Sequence, residues 1–209
     1  MRLRTARPDD VPALEALIAD SARGLSGGHY TPAQIESLLQ YVFGVDTQLI
    51  ADGTYYVCED AGRLAAAGGW SRRRTLYGGD RMNGEEDPLL DPGSEPARIR
   101  AFFVHPDFAR RGLGRQLLER CLSDTRGAGF RELTLVASLP GEPLYRALGF
   151  EVTRRFLLEM PDGAAVETSE MARPAAQPLS ASRNAATNAS GRSIAGSSAA
   201  PSMTRSGQP

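Results

Sequence analysis

The residues of this chain whose types and spacing could do chemistry lie together in Phe103-Val104-His105-Pro106-Asp107-Phe108-Ala109-Arg110-Arg111-Gly112-Leu113-Gly114-Arg115. An apolar strand runs into a short turn, and a glycine-rich basic loop then opens a helix. Such a helix start offers backbone N–H groups with no partner inside the helix, and the helix dipole makes it partly positive. Arginines gathered there are unfavourable by about 0.3–1 kcal/mol each unless an anion sits among them. That chemistry is a phosphate or pyrophosphate cradle; the alternative is a solvated helix start with surface arginines. Gly112-Leu113-Gly114 lacks the third glycine, and the acid about 20 residues on, of a dinucleotide fingerprint. It also lacks the Gly-Lys-Ser/Thr ending of a P-loop, so nicotinamide cofactors and nucleoside triphosphates are disfavoured.

The elements that must position this loop are legible in the hydrophobic pattern. Residues 1–6 alternate and predict a strand. A helix follows with Val11, Leu14, Leu17, Ile18 and Leu25 on one face, and Pro12 in its first turn. Thr31-Pro32-Ala33-Gln34 fits a capping box, and Ile35, Leu38, Leu39, Val42 and Phe43 continue it at helical spacing. Residues 54–59 and 64–70 predict two strands about Asp60-Ala61-Gly62. Residues 98–104 predict the strand that enters the loop, and Leu113, Leu117, Leu118, Cys121 and Leu122 stripe the helix that leaves it. A strand over 132–137, a short helix over 143–147 and a hairpin over 150–171 about Pro161-Asp162-Gly163 close the domain.

Residues 103–115 are similar to the acetyl-CoA-binding motif of the GNAT N-acetyltransferase superfamily, Val-x-Pro followed by Gln/Arg-x-x-Gly-x-Gly/Ala. Leu144-Tyr145-Arg146-Ala147-Leu148-Gly149-Phe150 resembles the family's second signature, Tyr-x-x-x-Gly-Phe. The resemblance covers residues 1–174 and implies an α/β fold: a central mixed, mostly antiparallel sheet flanked by helices. It implies acetyl-CoA as co-substrate and no metal. It implies that backbone groups of Phe103 and Val104 pair with the pantetheine arm. Arg110, Arg111, Gly112, Leu113, Gly114 and Arg115 would hold the pyrophosphate. Ala109 stands where the family often has Gln or Arg, and Arg110 is the candidate replacement. Tyr145 would be the general acid that protonates the leaving thiolate. Residues 98–104 contain no acid, where many members have one. Glu59, Glu142 and His105 are base candidates by place in the sequence only, beside a chain of ordered water.

The expected activity is transfer of an acetyl group from acetyl-CoA to a primary amine of a small-molecule acceptor by direct attack. The alternatives are a catalytically silent acyl-CoA-binding sensor and a transferase acting on protein N-termini. The acids between Asp80 and Glu95, in a long connection over 72–96, suggest a small cationic amine, while Arg72-Arg73-Arg74 reads as a solvated face or a second anion site. A net charge of −1 suggests neither nucleic acid nor a membrane surface as partner. No apolar run approaches about 18 residues, and a cytoplasmic location is expected. All 24 basic residues are arginine, so no lysine side chain can be self-acetylated. Cys58 and Cys121 are expected in the core rather than in a disulfide. The oligomeric state is left open, a homodimer included. The expected domain is 1–173, and residues 174–209, which contain no acid and no aromatic, are expected to be a disordered tail.

Overall fold

A computed structural model describes residues 1–81 and 87–177 of the chain. Asn83-Gly84, Glu85, Glu86 and the tail beyond 177 lie outside the described residues. Among the described residues, seven strands form one sheet in the order β1-β2-β3-β4-β5-β7-β6. They are β1 (Arg2–Thr5), β2 (Tyr55–Asp60), β3 (Arg63–Ser71), β4 (Ala97–Val104), β5 (Glu132–Ser138), β6 (Glu151–Glu159) and β7 (Ala165–Pro174). Every neighbouring pair is antiparallel except β4 and β5. The mixed, mostly antiparallel sheet expected from the sequence is therefore present.

Helices cover both faces. α1 (Val11–Leu25) and the short α3 (Thr47–Ala51) pack on one, with Leu14, Leu17, Ile18 and Leu49 against Tyr55, Val57 and Ala67. α4 (Leu113–Gly127) packs on the other, with Leu117, Leu118, Cys121 and Leu122 against Tyr56, Cys58, Ile99 and Leu133. Ala65, Ala66 and Ala67 make β3 thin, which lets both helix layers approach the middle of the sheet. α2 (Pro32–Tyr41) starts with the expected capping box: the Thr31 hydroxyl accepts from the Gln34 N–H and the Gln34 side chain accepts from the Thr31 N–H. Leu25, expected on the buried face of α1, is exposed at the helix end. α3 was not expected; Asp46 caps it by accepting the Leu49 N–H at 3.1 Å.

Two irregularities shape the centre. β4 pairs with β5 only at Ala97↔Leu133 and Arg98↔Thr134, after which the strands part. In β4, Ala101 has φ 56°, and the register with β3 slips by one residue between Ala67 and Gly69. This bulge reverses the alternation of β4. Ile99 faces the α4 layer before it, and Phe102 and Val104 face that layer after it. Gly68 stands opposite, where a Cβ would lie 2.7 Å from the Phe102 ring.

The folded contacts run past the expected boundary at 173/174. Pro174 belongs to β7, Ala175 is buried, and its N–H donates to the Arg131 carbonyl at 2.8 Å.

A Cβ on Gly69 would lie 2.6 Å from the Thr54 carbonyl oxygen, a backbone atom of the neighbouring segment. Gly69→Ala should therefore lose stability by about 1–3 kcal/mol, the usual cost of overpacking. Urea unfolding measures it, and a change below about 0.5 kcal/mol, the scatter of ordinary surface substitutions, would contradict this packing.

Candidate functional site

The site grows from the parting of β4 and β5. Where the strands separate, Ile99–Phe103 on one side and Val136–Ser138 on the other line a single cavity. α5 (Glu142–Ala147) follows β5 directly and places Tyr145 in the wall. The Tyr145 ring is buried and packs edge-on against Phe102 and Phe150, with centroids 6.1 and 5.8 Å away. Burial pushes its phenol up from the ordinary value, so the hydroxyl stays protonated at neutral pH.

Beyond β4, a short turn leads into α4. His105 ends the strand, and its Nδ1 accepts the Asp107 N–H at 3.1 Å, capping a 3-10 turn over Pro106–Phe108. The loop then takes two left-handed residues, Arg110 at φ 63° and Gly112 at φ 81°. Gly112 caps α4 without any side-chain cap, and the first turn contains no acid. The first backbone bond into the helix is Gln116 N–H to Gly112 O at 3.0 Å, so the preceding N–H groups face the loop side. Arg110 and Arg111 are exposed. The Arg111 guanidinium lies over the Phe108 ring at 5.1 Å, and Arg115 pairs with Glu119 at 3.0 Å. No atom lies within 4 Å of a Cβ built on Gly112, which leaves the approach to these N–H groups open. This donor set fits a pyrophosphate.

The two glycines have different work. Gly112 supplies the left-handed turn. Gly114 is buried, and a Cβ there would lie 2.8 Å from Leu144 Cδ2 of α5. Gly114 therefore lets the two motif-bearing helices touch. Leu113 packs into the core. Of the two strand residues, Phe103 lines the cavity. The Val104 N–H donates to Ser21 Oγ of α1 at 3.2 Å, so an incoming pantetheine would meet a group already bonded to the protein.

None of the base candidates lines the cavity. Glu59 is paired with Arg4 at 2.9 Å on the far part of the sheet. His105 Nε2 lies 2.6 Å from Arg63 Nη2 and 3.4 Å from Asp20. Glu142 accepts from Ser169 Oγ at 2.7 Å, Arg146 at 2.7 Å and Arg155 at 2.8 Å. These bonds, that from Ser169 foremost, hold its carboxyl down at about 2.

Sequence reasoning missed the charged group that does line the cavity. Arg100 is buried, pairs with Asp46 at 2.7 Å and donates to the Thr75 and Gly78 carbonyls at 3.2 and 2.7 Å. Asp46 itself is fully buried, and nothing local in the sequence links it to Arg100. Tyr30 was missed too. Its hydroxyl donates to the Glu167 carbonyl and accepts the Leu139 N–H, both at 2.8 Å, which ties β7 to the end of β5.

The described acids of the 72–96 connection serve its own fold. Asp80 accepts from the Thr47 N–H, Asp87 from the Thr75 N–H, and Asp91 from Gly93 and Ser94. Glu95 accepts from the Asp91 N–H and pairs with Arg74. None of these lines the cavity, which removes support for steering of a cationic amine by them. Of the three adjacent arginines, Arg73 grips Asp52 with two bonds of 2.9 Å, and Arg72 lies over the Trp70 ring, so they do not gather as an anion site.

Residues 51–152 match the family model of the acetyltransferase (GNAT) domain. No curated protein sequence matches the chain. Among solved structures the chain is similar to a GCN5-related N-acetyltransferase from Rhodopseudomonas palustris, with TM-score 0.62, 18% identity and 83% of this chain and 94% of that one covered. It is also similar to PaiA N-acetyltransferase from Thermoplasma acidophilum, solved with coenzyme A, with TM-score 0.56, 13% identity and coverage of 83% and 98%. YncA from Salmonella typhimurium, solved with acetyl-CoA, gives TM-score 0.53, 16% identity and coverage of 88% and 98%. None of the helices among the described residues is long and apolar enough to cross a membrane.

The depressed Glu142 carboxyl has a pH consequence. Its ordinary value is 4.5 and its folded value about 2, so the stability it contributes is present above 4.5 and is lost as pH falls from there through about 2. The melting temperature of Glu142→Gln should fall less steeply than that of the unaltered protein across that window. Equal slopes in a pH series of thermal melts would show that the three donors do not hold the charge.

Proposed function

Because the chain belongs to the GNAT superfamily, we propose that it transfers an acetyl group from acetyl-CoA to a primary amine of a small-molecule acceptor, by direct attack without a covalent enzyme intermediate. The observation that carries this reading is that two features meet beside one slot. An α4 N-terminus with no acid in its first turn and with Arg110, Arg111 and Arg115 nearby touches α5 through Gly114 and Leu144. The same α5 places the buried, protonated Tyr145 in the cavity wall.

Acetyl-CoA, when bound, supplies an activated thioester. The N–H groups of Gly112, Leu113, Gly114 and Arg115 are the donors for its pyrophosphate, helped by the arginine charges. The backbone of Phe103 and Val104 orients the arm, with Ser21 yielding the Val104 N–H. The strand walls exclude water and hold the amine against the thioester carbonyl, which is catalysis by positioning. As the C–N bond forms and the C–S bond breaks, the Tyr145 hydroxyl gives its proton to the departing sulfur; the proton lost by the nitrogen passes to water at the cavity mouth, and the phenolate takes a proton back from solvent when the products leave. Glu142 takes no part, because it is ionised and fully engaged.

A second reading has its own observation. A buried arginine, Arg100, stands on β4, where many relatives of this type carry an acid, so a slot that binds acyl-CoA and does not turn it over is the alternative. Release of free thiol from acetyl-CoA across a panel of amines separates the two: amine-dependent release supports the transferase, and binding without release supports the sensor.

Tyr145→Phe keeps the ring contacts and removes the proton. Its kcat should drop about 100-fold, the low end for a positioned acid, with the affinity for acetyl-CoA kept. An unchanged kcat would reduce Tyr145 to a packing role. Gly112→Val places a β-branched residue at φ 81° in the open approach. Calorimetry should show coenzyme A binding weakened about tenfold or more in a folded variant, the loss expected when one or more charge-assisted bonds go. Unchanged affinity would sink the cradle.

A further inference from the structure

The cavity continues past Tyr145 to a second end, built by α2, the segment over 77–79 and the β6–β7 hairpin. Its walls there are Leu38, Val42, Phe43, Tyr77, Leu158 and Val166. They are held by ring contacts: Phe43 meets Phe103 edge-on with centroids 5.5 Å apart, and Tyr77 meets Phe156 at 6.4 Å. Tyr30 also lines this end, and its hydroxyl is used by Glu167 and Leu139. Among the described residues, the one charged side chain in the lining is Arg100, a cation already engaged by Asp46 and two carbonyls. The whole cavity, with both ends together, measures about 120 Å³, so this end takes a body no larger than a single ring.

From these walls we infer that the acceptor carries its single amine on an apolar, ring-sized body, as a phenylalkylamine does, and carries no second ammonium. The inference rests on the acetyl-transfer reading of the same site. Aromatic and aliphatic walls reward burial of a ring. A polyamine or a lysine-like acceptor would bring a further positive charge into the same walls, beside a guanidinium, at the cost of its hydration. The same desolvation favours the uncharged form of the one amine that must react. The amine therefore sheds its ammonium proton to solvent before attack, and the proton that its nitrogen loses as the amide forms also passes to solvent.

The test compares initial rates of acetylation of phenethylamine, spermidine and Nα-blocked lysine at saturating acetyl-CoA, with acetyl-CoA binding followed separately by calorimetry. Phenethylamine should exceed both others in kcat/KM by about tenfold or more, the scale on which apolar pockets discriminate. Its pH profile should rise to a plateau at the amine's own pKa. Leu158→Glu, in the half-buried wall on β6, should lower kcat/KM for phenethylamine about tenfold, narrow the gap to spermidine, and leave the acetyl-CoA affinity as it was. Should that variant fail to fold, the comparison in the unaltered protein decides alone. Preference for spermidine or the lysine derivative overturns the inference. Binding of acetyl-CoA with no turnover of phenethylamine overturns it too and leaves the cofactor reading standing. Failure to bind acetyl-CoA overturns both.

Discussion

β4 and β5 share two residue pairs and then separate, and the site depends on that separation. A parallel pair that continued would fill the slot with its own hydrogen bonds. Each strand instead delivers one chemical feature from its far end: β4 runs into the α4 loop, and β5 runs into α5 with Tyr145. Backbone groups on a parted strand must find partners or meet solvent or ligand. Here β4 is drawn toward the α1 layer. Val104 N–H bonds to Ser21, and Arg100 bonds to Asp46 at the start of α3. The bulge at Ala101 turns Phe102 toward Tyr145 and Phe103 toward Phe43, so both cavity ends gain an aromatic wall from neighbouring residues.

The arginines divide by position. Arg73 and Arg100 are spent on internal pairs, and the buried Arg173 is spent on carbonyls at the end of α5 and beyond β7. Arg110 and Arg111 stay exposed around a helix start that lacks an acid. A left-handed conformation at Arg110, which costs a non-glycine residue of order 1 kcal/mol, is kept at this loop. The charge placement and the strain point to the same place.

Much of this was legible in the sequence. The strands, the capping box at Thr31, the stripe of α4 and the closing hairpin each have local signals, because periodicity and turn chemistry act over a few residues. The glycine loop that opens α4 was legible for the same reason. What was not legible depends on residues distant in the chain. Gly114 reads as part of a phosphate motif, yet its contact is Leu144, thirty positions on. Glu142 reads as a candidate base until Ser169 and Arg155 are seen to hold it. The Arg100–Asp46 pair joins a strand to a five-residue helix that carries too little periodicity to be noticed. The acids over 80–95 read as a steering surface, whereas the described ones accept from nearby backbone donors.

On the reading proposed above, coenzyme A lies in the slot between the parted strands with its pyrophosphate at the start of α4. Amide chemical shifts recorded as coenzyme A is titrated test this directly. The largest changes are expected at Gly112, Leu113, Gly114 and Arg115, with a second set at Phe102, Phe103 and Val104. Saturable binding whose shifts fall elsewhere, with both groups unmoved, would contradict it.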